Sequence, residues 1–206
     1  RDIEDEGDAE KDNIVTFGSI REKEVEIIIE TIEKLKKDFA DILFFIAPRE
    51  LLLIDTIEKT VYSHMRVARY SKFRDSPDRD SDVVVVDTVG DLLRIYRTSK
   101  VAFVGGSLFP YGGQNLLEPL FFGTPVLFGP HTENFQDISR TITKQRAGMV
   151  VMNGEELYSK IKLLLQDDSL REEMGNHGRK IIDEQREVMK KTIDFVMDVM
   201  HKKQRR

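Results

Sequence analysis

No cysteine occurs among the 206 residues, which excludes disulfides, thiolate nucleophiles and Cys-ligated zinc, and fits a cytoplasmic setting. Long apolar runs are missing too. The longest, such as LLLI and VVVV, fall far short of the ~20 residues that span a bilayer, and no signal peptide precedes them. No transmembrane segment is therefore expected. Positive charge is not in excess either: a formal net charge of -5 argues against a nucleic-acid partner, because phosphate neutralisation needs clustered Lys and Arg. The histidines are few and lack metal-ligand spacing, so His64, His177 and His201 read as surface positions. No Asp-x-Asp pair sits beside a glycine-rich strand end, and no Ser-His-Asp arrangement has support, so neither a metal nor a cofactor is expected.

What is present is the composition of a folded protein, 40% hydrophobic and 33% charged, at a length that suits one domain. The chain opens at Arg1 with RDIEDEGDAEKDN, an acidic stretch with little to bury. Residues 1–13 read as a linker cut from something longer, 14–200 as the domain, and 201–206 as a frayed basic tail. From Asn13 onward short β-rich runs alternate with amphipathic stretches, the pattern of a parallel sheet covered by helices. NIVTF, DILFFIA, VVVV, VAFVGG, TPVLFG and GMVVM read as strands, with VARYS as a short one and SKFRDSPDRDS as a mobile loop. In EKEVEIIIETIEKLKKD, Val25, Ile28, Ile29, Ile32 and Leu35 recur at helical spacing. Beyond Glu155 the chain reads as helix, broken near Asp167 and around Gly175 to Gly178. The expected architecture is α/β: a Rossmann-like parallel sheet of about six strands with helices on both faces. Phe121, Phe122 and Phe128 are expected in its core.

Ligands of such sheets bind beyond the carboxyl ends of the strands. Five loops there carry glycine or polar residues: GSIRE, APRE, DTVGD, GGSLFPYGGQNLLEP and GPHTENF. Gly105 and Gly106 follow a strand, and Gly112 and Gly113 precede a helix, so backbone N–H groups can approach an anion there. Taken bare, these glycines read as turn residues, since the spacing matches neither a Walker loop nor a dinucleotide fingerprint. Glu118, in the first turn of a helix expected to be capped by Asn115, suits two ribose hydroxyls; the helix dipole alone would also favour an acid there.

The segment FVGGSLFPYGGQNLLEPLFFGTPVLFGPHTENFQDI resembles the signature of the 3-deoxy-D-manno-octulosonic acid (Kdo) transferases of bacterial lipopolysaccharide synthesis. The matching residues are Gly105, Gly106, Ser107, Gly112, Gly113, Asn115, Glu118, Pro119, Gly129, Pro130, His131, Asn134 and Phe135. DTVGDL, from Asp87 to Leu92, is similar to the Asp-Thr-x-Gly-Glu-Leu loop of that family, and Pro48 and Arg49 match its Pro-Arg-His turn. Three features depart. Gln114 and Glu50 stand where the family usually has His, and SIREKE differs from Ser-Thr-His-x-Gly-Glu.

The resemblance implies a GT-B glycosyltransferase, of which this chain is similar to the carboxy-terminal, CMP-Kdo-binding half. Gly112, Gly113, Gln114 and Asn115 would then bind the phosphate of CMP, and Glu118 the ribose. Arg49 and Ser19 would meet the phosphate or the Kdo carboxylate, although a salt bridge for Arg49 and a helix cap for Ser19 are the plainer alternatives. Gly90 would admit the cytosine, while His131 would bond the leaving phosphate or a neighbouring carbonyl. Gly105, Gly106, Ser107 and Asn134 complete the nucleotide-sugar-binding set. The catalytic base and the lipid A precursor are expected on a missing amino-terminal domain at the cytoplasmic face of the inner membrane. Another GT-B enzyme, such as a UDP-sugar transferase or epimerase, and a non-catalytic nucleotide-binding module remain the alternatives.

Overall fold

The computed structural model describes residues 13–62, 65–76 and 80–204, with 192–204 given by their backbone. Within it, seven parallel strands form one sheet: β1 (Ile14–Ile20), β2 (Leu43–Pro48), β3 (Val67–Arg69), β4 (Val83–Val85), β5 (Val101–Val104), β6 (Val126–Phe128) and β7 (Gly148–Val150). Their order is β3-β4-β2-β1-β5-β6-β7. The chain thus builds outward from β1 on one side, then returns to add β5 on the other, which places the topological switch between β1 and β5.

Alternation with a period of two decides which side chain enters which layer. Val15, Phe17, Phe44, Ile46, Val83, Val85, Val101 and Phe103 join one apolar cluster. Their neighbours Ile14, Phe45, Ala47 and Val84 join a second, and Ala102 and Val104 a third, on the opposite face. The first cluster is covered by α1 (Val25–Asp38), α2 (Ile54–Val61) and α7 (Gly154–Gln166), through Ile28, Ile32, Leu35, Ile57, Leu157 and Ile161. The other face carries Tyr70 of α3 (Tyr70–Phe73), Ile95 of α4 (Leu92–Thr98), Leu120 of α5 (Leu117–Phe121), Ile142 of α6 (Gln136–Lys144) and Ile181 of α8 (Asp168–Gln204). At the centre the Phe17 ring lies 6.4 Å from that of Phe44 and 6.3 Å from that of Phe103. Each such fully buried side chain contributes roughly 1.5–3 kcal/mol of transfer free energy.

The structure corrects several expectations. The sheet has seven strands, the six longer runs together with the short one at Val67–Arg69. Ser71 to Phe73, expected in a mobile loop, form α3, because the Ser71 amide and hydroxyl both donate to Asp87, at 2.8 and 2.6 Å. No break occurs around Gly175 to Gly178; both lie inside α8, where glycine serves close packing. A Cβ on Gly175 would run into the Gly123 carbonyl, and one on Gly178 would sit 2.9 Å from Leu120 Cδ2. Phe128 is buried, whereas Phe121 and Phe122 are only half-buried. His177, expected at the surface, has its Nδ1 buried. The expected linker apart from Asn13, His64, and the side chains of the basic tail lie outside the described residues, although the α8 backbone continues through Gln204. Among the described residues no helix is long and apolar enough to cross a membrane.

Candidate functional site

At the switch point the carboxyl ends of β1, β2 and β4 and the loop after β5 enclose a cavity of about 450 Å³. Six of the residues singled out in the sequence meet there: Ser19, Arg49, Gly90, Gln114, Asn115 and Glu118. Ser19 is the bulged residue of β1, between the pairs Gly18 with Ala47 and Ile20 with Pro48. Its φ of 56° lies in the left-handed region, which costs a non-glycine residue about 1–2 kcal/mol. It caps no helix; the bulge turns it toward the opening instead. Gly90, with φ of 92°, has open space where a Cβ would be, so the loop after β4 leaves that part of the cavity free.

Glu118 and Arg49 set the electrostatics. Burial in the cavity wall raises the Glu118 pKa above its ordinary value, while a hydrogen bond from Asn115 Nδ2 at 3.2 Å and the positive charge of Arg49 pull it back. Asn115 also accepts from the Leu117 amide at 3.1 Å, but the cap position of α5 is Leu116, so Asn115 holds that first helical amide from one residue outside the expected cap. Arg49, expected as a salt bridge or as a ligand group, has no ion-pair partner within bonding distance among the described residues. Its amide is tied to Ile20 O at 2.9 Å, which fixes the start of its side chain at the cavity. Beneath Glu118 lies Tyr96, wholly buried, whose hydroxyl occupies the space a Cβ on Gly18 would need. Burial and the Glu118 charge together drive its pKa far up, so it stays a neutral phenol.

The remaining glycines are engaged within the protein. Gly106, Ser107 and Leu108 donate their amides to the buried Glu24 carboxylate at 2.7, 3.0 and 3.1 Å, and Arg21 adds its own amide at 3.0 Å. A protein carboxylate therefore fills the anion nest after β5. Gly105 is pressed against Glu24 Oε2, 2.7 Å from where its Cβ would stand. Ser107 Oγ joins Val104 O to the Gly129 amide, at 2.6 and 2.8 Å, linking the loops after β5 and β6. The Gly113 amide, expected to be free, bonds to Gly106 O at 2.8 Å, and Gly112 O accepts from the Asn134 amide at 3.0 Å. His131 gives its amide to Ser107 O and turns its Nδ1 to Glu133 at 3.4 Å; it does not line the cavity. With only five residues in α5, dipole attraction at its amino end is slight, which leaves Arg49 as the main charge for an anion.

Thr88 and Val89, of the DTVGD loop, also line the cavity, as does Leu51, which was not singled out in the sequence. One signal existed: Leu51 and Leu52 stand directly after a strand-end turn, and in the fold Leu52 is 90% exposed and Val89 87%, apolar side chains left at the sheet's working edge. Glu24 gave no sequence signal beyond its place at the end of SIREKE, because its partners are backbone groups of a loop some eighty residues away.

No family model matches the chain. A 3-deoxy-D-manno-octulosonic acid transferase of Aquifex aeolicus is 35% identical over 157 residues, covering 75% of this chain and 42% of the relative. The Haemophilus influenzae transferase is 31% identical over 179 residues, 84% of this chain and 41% of its own length. The chain thus spans about two fifths of the length of these relatives. Among solved structures, the carboxy-terminal CMP-Kdo binding domain of WaaA from Acinetobacter baumannii superposes with a TM-score of 0.78 at 25% identity, covering 84% of this chain and 90% of that domain. In sequence and in fold, the chain is a relative of the 3-deoxy-D-manno-octulosonic acid transferases and matches their carboxy-terminal domain.

Proposed function

We propose that this chain is the donor-binding domain of a glycosyltransferase that transfers Kdo from CMP-Kdo to a lipid A precursor. The observation that supports it most is the pairing of a half-buried carboxylate, Glu118, with an uncommitted guanidinium, Arg49, across a cavity of about 450 Å³ at the switch point. Glu118 accepts the ribose hydroxyls, Arg49 and the re-aimed Ser19 meet the phosphate, and the open side of Gly90 admits the cytosine. Gln114 and Asn115 border the phosphate, while Gly105, Gly106, Ser107, Gly112, Gly113, His131 and Asn134 shape the loops from behind. A monophosphate leaving group needs less neutralisation than a diphosphate, so one or two cationic groups can suffice without a metal.

In a single displacement an acceptor hydroxyl attacks the anomeric carbon as CMP departs. The base that takes its proton and the surface that holds the lipid belong, in this reading, to a further part of the enzyme, joined through residues 1–13 and working at the cytoplasmic face of the inner membrane. Residues 14–200 make the donor domain, and 201–206 a basic extension.

Calorimetric titration of the chain with CMP and with UDP tests the reading. CMP is expected to bind measurably and more tightly than UDP. Tighter binding of UDP would move the protein to another nucleotide-sugar class, and no heat with either at saturation would leave a domain without a working site.

A further inference from the structure

Next to Gln114, outside the residues that line the cavity, lies a cluster that nucleotide binding leaves unused. Arg21, just past β1, ion-pairs through Nη1 with Glu50, just past β2. Its guanidinium carbon lies 5.5 Å from the centre of the Tyr111 ring, in the loop after β5. Arg21 and Gln114 share the space over Gly106, where a Cβ would come within 3.3 Å of Gln114 Cγ and 3.8 Å of Arg21 Cγ. Since Gln114, Ser19 and Arg49 line the cavity and Glu50 follows Arg49 directly, this cluster forms its rim.

The two partners of the ion pair are held very differently. Arg21 donates its backbone amide to Glu24 and lays its guanidinium against the Tyr111 face, with a side chain 26% exposed. Its Nε is buried and has no hydrogen-bond partner. The Glu50 side chain is 56% exposed and makes no other bond among the described residues. A pair with one exposed member is held weakly, because water solvates the carboxylate almost as well once it swings away. A guanidinium offers two parallel donors to a planar anion, and here one of its donors is unsatisfied.

Resting on the nucleotide-sugar reading above, we propose that Arg21 anchors the carboxylate of an acidic donor sugar and that Glu50 is a resident counter-ion which this carboxylate displaces. As Glu50 leaves, the guanidinium turns so that Nε and an Nη meet the two carboxylate oxygens. A neutral sugar has nothing to exchange for Glu50, so the rim discriminates by charge. Arg49, deeper in the cavity, keeps the phosphate.

Calorimetry with CMP and with CMP-Kdo on the full chain and its Arg21→Gln, Arg21→Lys and Glu50→Gln variants tests this. Arg21→Gln is expected to weaken CMP-Kdo about tenfold or more and to leave CMP within about twofold, since only the former carries the carboxylate. Arg21→Lys, which keeps the charge but loses the fork, recovers part of that loss. Glu50→Gln removes the competitor and tightens CMP-Kdo. Equal loss for both ligands in Arg21→Gln would assign Arg21 to the phosphate or to the fold and overturn the proposal, as would undiminished CMP-Kdo binding. Weaker CMP-Kdo binding by Glu50→Gln would make Glu50 a ligand group rather than a placeholder. Absence of CMP binding by the parent chain would remove the nucleotide reading, and this proposal with it, whereas normal CMP binding with an indifferent Arg21 would remove this proposal alone.

Discussion

The ionised form of Glu118 carries an electrostatic cost. Burial lifts its pKa above the ordinary value, so the stabilising form is the protonated one. For a raised carboxyl, that stability is fully present below the ordinary pKa and is lost as pH rises through the folded-state value; at neutral pH the ionised group weighs against the fold. Ribose hydroxyls need the ionised acceptor, so CMP affinity should fall on acidification, beginning above the pH at which an ordinary glutamate would protonate. Glu118→Gln removes the charge while keeping the shape. It is expected to lower CMP affinity roughly tenfold to a hundredfold, with a thermal midpoint equal to or higher than that of the parent. Titration at several pH values, paired with thermal melts, checks both signs. An unaltered affinity would reduce Glu118 to an acid favoured by its place in a helix.

At the scale of elements, the long helix α8 shows how a glycine can be chosen for its lack of a side chain rather than for its backbone freedom. Inside a helix, glycine is worse than alanine by about 1 kcal/mol, which is why the sequence around Gly175 and Gly178 reads as a break. The helix persists because α8 rests on α5 and the turn after it so closely that the Gly123 carbonyl takes the space of a Gly175 Cβ. Overpacking of this kind costs typically about 1–3 kcal/mol, and backbone cannot step aside as a flexible side chain can, so it outweighs the propensity gained. Gly175→Ala should therefore lower the melting midpoint, by roughly 2–8 °C for a chain of this size. A rise in the midpoint would mean that α8 sits farther from α5 than the structure has it. CMP binding below the melting range should persist, because neither glycine lines the cavity.

For the whole molecule, the proposed reading gives this domain one of the three things a transfer needs at once. A donor must be held, a hydroxyl placed near the anomeric carbon and its proton removed by a base within hydrogen-bond reach. In that reading the cavity supplies the first. The chain spans 42% of the Aquifex relative, and the other two requirements are assigned here to the rest of such an enzyme. Incubation of this chain alone with CMP-Kdo and lipid A precursor is expected to give no glycosylated lipid by mass spectrometry, while CMP is still bound. Product above the no-enzyme control would place acceptor site and base within these 206 residues.

The sheet and the helices that cover it were legible because they follow from short-range regularities: the short apolar runs of β1, β2, β4 and β5, and helical spacing from Val25 to Leu35. Glu118 could be singled out for its place in the first turn of a helix that the pattern marks, whereas Arg49 and Gly90 were named through the family resemblance of the turn and loop that carry them. Which polar groups are spent on the protein itself was decided by tertiary structure alone. Glu24 filling the nest after β5, Gly113 bonding to Gly106, Ser107 joining two loops, and Arg21 pairing with Glu50 over Tyr111 all join residues remote in sequence. A glycine or a charge has the same local signature whether its partner is a ligand or another loop; only the packing of the strands, which brings those loops together, determines which partner it meets.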